Sequence, residues 1–67
     1  MKRISIVVPV YNEEDNIEHF AQSIAAVMVR LPYDYEILFI DDGSRDRSRE
    51  ILRAMGARDP HVQSIFL

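Results

Sequence analysis

Two short clusters of side chains in this 67-residue chain could form a binding site. FIDDGSRDRS, residues 39 to 48, runs apolar to Ile40 and then sets Asp41 and Asp42 before Gly43 and Ser44. YNEE, residues 11 to 14, follows a β-branched run and supplies Tyr11, Asn12 and Glu13. An ionised carboxylate only accepts hydrogen bonds, so these acids suit a ligand that donates: the N–H edge of a base, ribose hydroxyls, or a divalent cation. Phosphate alone is a poor match, because it is held by glycine-rich backbone nests and a lysine. The chain has only Gly43 and Gly56, in neither GxGxxG nor GxxxxGK[ST], and Lys2 is its one lysine. Acids at one end of a pocket whose other end holds a metal-bound pyrophosphate would suit a nucleoside diphosphate.

The surrounding elements must bring the clusters together. Ile4 to Val10 is nearly all β-branched, the pattern of a parallel strand covered on both faces, with regular pairing fading at Pro9. Asn12 is a candidate helix cap, with Glu13, Glu14 and Asp15 in a first turn that favours negative charge. Ile17, Phe20, Ala21, Ile24, Met28 and Leu31 recur at helical spacing up to Pro32. Tyr35 to Ile40 reads as a second strand. Ser44 or Asp46 can cap a second helix with Ile51, Leu52 and Met55 inward and its arginines in water, ending at Gly56. Residues 62 to 67, VQSIFL, begin a third strand after a turn. This alternation predicts an α/β fold: the βαβαβ half of a doubly wound, Rossmann-like domain with parallel strands. If their order is 3-2-1, as in related doubly wound sheets, the first strand should pair with a later strand. In such sheets ligands bind beyond the carboxyl ends of the strands, where both clusters lie.

Composition narrows the function classes. Sixty-seven residues form at most one domain with a marginal core. A net charge of −3 argues against nucleic acid, and acids interleave Arg45, Arg47, Arg49 and Arg53, as on a solvated helix face. The absence of cysteine excludes disulfides, thiolate metal sites and a cysteine nucleophile. No apolar run approaches the roughly 20 residues of a membrane helix, and no secretory cleavage site follows the first apolar run, so a cytoplasmic location is expected.

IVVPVYNEEDNI, residues 6 to 17, followed by FIDDGSRDRS resembles the amino-terminal part of the inverting family 2 glycosyltransferases, which have the GT-A fold. Within that family the chain is most similar to the polyprenyl-phosphate branch, typified by dolichol-phosphate mannose synthases. The resemblance implies that residues 1–67 are the nucleotide-sugar-binding part of an incomplete domain. It also implies a UDP- or GDP-sugar donor and a lipid-phosphate or saccharide acceptor, with the enzyme at the cytoplasmic face of the membrane. Pro9 and Tyr11 match residues lining the base and ribose side of the site, and Glu13 an acid contacting the nucleoside. Asp42 matches the carboxylate that accepts from the base N–H, and Asp41 its partner, which shapes the loop. Val10 and Ser44 are lesser candidates, through backbone contacts and capping. The family's DxD motif, which holds Mg²⁺ or Mn²⁺ on the sugar diphosphate, has no counterpart in this chain. Its metal ligands, acceptor site and any catalytic base are therefore expected elsewhere, and the segment alone should not catalyse transfer.

Blander readings compete. Asp before Gly is an ordinary turn signal, but its place at a strand end opposite YNEE favours a ligand role, more for Asp42 than for Asp41. Glu14 and Asp15 are explained by helix electrostatics alone, and Tyr11 could be a packed aromatic. His19 and His61 have no ligand-spaced partners. A Mg-binding, response-regulator-like signalling module is the alternative enzyme-free reading, but its acid pair should follow the first strand, with a lysine at a later strand end. A third reading is a non-catalytic fragment that self-associates through the open edge of ISIVV.

Overall fold

The computed structural model describes residues 2–67. Strand β1 (Arg3–Val10) leads to helix α1 (Ile17–Met28), strand β2 (Asp34–Asp41), helix α2 (Ser48–Arg58) and strand β3 (Val62–Phe66). The strands form one parallel sheet in the order β1-β2-β3, with β2 in the centre. This is the α/β, βαβαβ half-domain read from the alternation of apolar patterns, and its order is the 3-2-1 of related doubly wound sheets.

Both crossovers step the same way across the sheet, and right-handed crossovers then deposit both helices on one face. The core lies there. Ile17 and Ala21 of α1 and Leu52 and Met55 of α2 pack on Val10, Ile37, Phe39 and Val62, with Phe39 and Leu52 sealed from solvent. The register sets Val10 beside Asp41 and Asp41 beside Phe66, so the last positions of all three strands share a row.

The expectation that both faces of β1 are covered is corrected. Its side chains alternate between exposed and half-buried, and Val7 on the helix-free face is 56% exposed. The expected fading at Pro9 does not occur, since pairing continues through Val10. The Val10 carbonyl accepts from the Asp42 amide at 3.0 Å, and neighbouring strand residues point their backbone groups to opposite sides. Pro9 therefore turns its donorless nitrogen to the free edge, where no ladder bond is lost.

The helix ends also differ. α1 starts at Ile17, not after Asn12, and residue 16 rather than Asn12 precedes its first turn. It stops at Met28, leaving Leu31 exposed in the following turn. α2 continues through Gly56 to Arg58, so Gly56 does not end it. No helix among the described residues is long and apolar enough to cross a membrane.

Candidate functional site

The tips of β1 and β2 stand side by side, as a shared site requires. The hydrogen bond from the Asp42 amide to the Val10 carbonyl closes the last rung, so Tyr11 and Asp42 leave the sheet as neighbours. Tyr11 is 57% exposed, Asp42 is exposed, and Glu13 is half-buried between them and α1. These three share an open rim.

The two adjacent acids divide according to strand alternation. Phe39 points into the core, so Asp41 two residues on does too, and Asp42 points out. Asp41 is 0% exposed. Its Oδ2 accepts from the Ser44 amide at 3.2 Å and lies 3.2 Å from Arg49 Nε. Its Oδ1 is buried with no partner among the described residues. Arg49 in turn lies over the Phe66 ring, 5.1 Å from the centroid, with Arg53 at 4.8 Å. The expectation that the α2 arginines all face water is thus corrected for Arg49, because the buried carboxylate draws it inward. Arg47 and Arg58 do make exposed ion pairs, with Glu50 and Glu18.

Side chains cross-link the loop after β1 to the loop after β2. Asn12, at φ +50°, donates its amide to Ser44 Oγ at 3.0 Å, and its Oδ1 accepts from the Arg45 amide at 2.8 Å. Ser48 Oγ accepts from the Glu13 amide at 2.9 Å, and Asp46 Oδ2 from the Glu14 amide at 3.1 Å. The expected cap is corrected: Arg47, not Ser44 or Asp46, is the N-cap of α2 and makes no side-chain cap bond, while Asp46, one residue earlier, accepts the Ser48 amide on its Oδ1 at 2.9 Å. Ser44, 7% exposed, serves the facing loop instead. Gly43, at φ +78°, makes the left-handed turn that delivers residues 44–46 to Asn12. Desolvation acts to raise the Asp46 carboxyl, but hydrogen bonds from the Ser48 hydroxyl and amide and from the Glu14 amide outweigh it and hold the pKa below the ordinary value.

Of the seven candidates, Tyr11, Glu13 and Asp42 reach the rim. Val10, Asp41 and Ser44 lie beneath it, and Pro9 is exposed on the strand toward the helix-free face. Glu13 Oε2 accepts from Asn16 Nδ2 at 3.0 Å, so its carboxylate also serves the start of α1. Asn12, Asp46, Ser48 and Arg49 were not among the candidates. Their partners lie 32 to 35 positions away for the loop bonds, beyond any local signal. A concavity between α1 and α2, lined by Glu18, Ala21, Met55 and Arg58 among others, contains none of the rim residues. Among the described residues no group of three or more His, Cys, Asp or Glu could hold a metal ion.

Residues 5–67 match the profile of the family described as Glycosyl transferase family 2. The chain is 52% identical over 61 residues to an uncharacterized glycosyltransferase, YkcC, of Bacillus subtilis, covering 91% of the chain and 19% of that relative. It is 43% identical over 56 residues to an undecaprenyl-phosphate 4-deoxy-4-formamido-L-arabinose transferase of Pseudomonas fluorescens (84% of the chain, 16% of the relative). A bactoprenol glucosyl transferase of Shigella phage SfV is also 43% identical, over 60 residues (90% and 20%). The chain thus spans at most a fifth of the length of these relatives.

Proposed function

The chain belongs to glycosyl transferase family 2, and from that premise we propose that it forms the nucleoside-binding part of an enzyme moving a sugar from a UDP- or GDP-sugar to polyprenyl phosphate. The observation that carries the reading is the convergence of Tyr11, Glu13 and Asp42 on one rim at the carboxyl ends of β1 and β2. Asp42 has an exposed side chain with a structurally occupied amide, so its carboxylate is left to accept from the N–H edge of a base. The Tyr11 ring offers a face to the base or ribose, and Glu13 an acceptor for a ribose hydroxyl. Asp41, Ser44 and Val10 act from below, shaping the loops by the contacts already described.

The names of two relatives carry a polyprenyl acceptor, and this supports the same acceptor class here. With such an acceptor the reaction would run at a membrane surface, on the cytoplasmic side if the donor is a nucleotide sugar. The family resemblance implies Mg²⁺ or Mn²⁺ on the sugar diphosphate, but the residues of this chain do not fit it: Asp41 is committed to Arg49 and Ser44, and the remaining rim acids form no ligand cluster. Residues outside 1–67 would hold the metal. The response-regulator reading is disfavoured because the acid pair ends the second strand and one of its members is buried in an ion pair.

Isothermal titration of the full-length protein with UDP- and GDP-sugars in the presence of Mn²⁺ tests the proposal. One nucleotide should bind, and Asp42→Ala should weaken it at least tenfold, the worth of a hydrogen bond to a charged group. Absence of binding by both, or an unaltered Asp42→Ala, would sink it.

A further inference from the structure

We infer that Asn12 is a positioning residue for nucleotide binding, holding Tyr11 and Glu13 in place against the loop that carries Asp42. The inference rests on the nucleotide reading of the rim. Three properties of Asn12 meet at one place. Its backbone is left-handed, at φ +50°, a region that asparagine tolerates better than most side chains. Its amide donates to Ser44 Oγ at 3.0 Å. Its Oδ1 accepts from the Arg45 amide at 2.8 Å, with the Asp46 amide at 3.4 Å.

Asn12 therefore both gives to and takes from residues 44–46, whereas Glu13 and Glu14 only give their amides to Ser48 and Asp46. Asn12 stands between Tyr11 and Glu13 in the chain, so its bonds to residues 44–46 tie both neighbours to the facing loop. Loss of the Oδ1 acceptor would leave two loop amides without their protein partner and would free the loops to shift relative to one another. A displacement of about 1 Å between binding groups is enough to weaken a ligand that must touch both loops. Asn12 commits its backbone amide and Oδ1 to the facing loop, so the effect of those groups on ligand passes through its neighbours.

The test uses the full-length protein, titrated with UDP and with GDP in the presence of Mn²⁺. Asn12→Gly keeps the left-handed backbone accessible and deletes the acceptor, while Asn12→Asp keeps both the acceptor and the tolerance of positive φ. For whichever nucleotide the wild type binds, Asn12→Gly should weaken affinity about tenfold, and Asn12→Asp should stay within about threefold of wild type. Amide exchange at Arg45 should quicken in Asn12→Gly and not in Asn12→Asp. Asn12→Gly binding within about twofold of wild type would overturn the inference while sparing the nucleotide reading, as would Asn12→Asp being as weak as Asn12→Gly. A wild type that binds neither nucleotide overturns the nucleotide reading first, and the inference with it.

Discussion

Replacing Arg49 by methionine isolates the effect of a buried charge beneath the rim. Asp41 is 0% exposed and faces Arg49 Nε at 3.2 Å, while its other oxygen has no partner among the described residues. Removing one member of a buried pair costs about 3–5 kcal/mol, because the remaining charge is left without compensation. Arg49 is 35% exposed and Oδ2 keeps the Ser44 amide, so the lower end applies, about 3 kcal/mol. In a domain of 150–250 residues that corresponds to a fall in melting temperature of roughly 6–12 °C. Adding Asp41→Asn removes the stranded charge and keeps an acceptor for the Ser44 amide, so the double variant should recover at least about half of the loss, a coupling within the range seen for contacting residues. Differential scanning calorimetry of the full-length wild type, both singles and the double variant closes the cycle. A loss below about 1 kcal/mol for Arg49→Met, or a double variant no better than the sum of the singles, would refute the argument that the pair is needed because the carboxylate is buried.

Two further outcomes follow from the loop and helix geometry. Gly56 lies inside α2 without a positive φ, and an added Cβ would meet only the Val62 carbonyl, at 3.8 Å; Gly56→Ala should stabilise by about 0.5–1 kcal/mol in urea unfolding, and destabilisation would show that the close approach to β3 matters more than helix propensity. Asp46 has its folded pKa lowered beneath 3.8, so its carboxylate stabilises the fold fully above about pH 4 and that contribution fades as pH falls through the depressed value; Asp46→Asn should flatten this acid limb of the stability curve, and an unchanged limb would show that the two loops do not depend on the charge.

The elements and their parallel arrangement were legible because β-branched runs alternate with helical stripes, whereas the strand order rests on the pattern of doubly wound sheets. YEILFI and ISIVVPV mark the strands, but ISIVVPV overstates burial, since one face of β1 is exposed. The division of labour between Asp41 and Asp42 was legible in principle, since period-two alternation from Ile37 and Phe39 places Asp41 inward. Reading the two acids as a pair at the end of the strand obscured it, because β2 in fact includes Asp41. Asn12 was a different case. Locally it looks like a helix cap followed by acids, and only the register of β1 on β2 brings Arg45 within reach of its side chain. Gly56 misled for a related reason: packing of Leu52 and Met55 carries α2 past a residue whose own propensity is to end it.

The orientation of Pro9 sets how far another strand could extend the sheet beyond β1. Arg3, Ser5 and Val7 aim their amides outward along with Pro9, by the same alternation that turns Val10 toward Asp42. An incoming strand could therefore zip along Ser5 and Val7 but would find no donor at the ninth residue, one step before the loop. The proline thus removes one donor from that edge while its carbonyl can still accept, so a recruited neighbour would be held less firmly beside Tyr11 than along Ser5 and Val7.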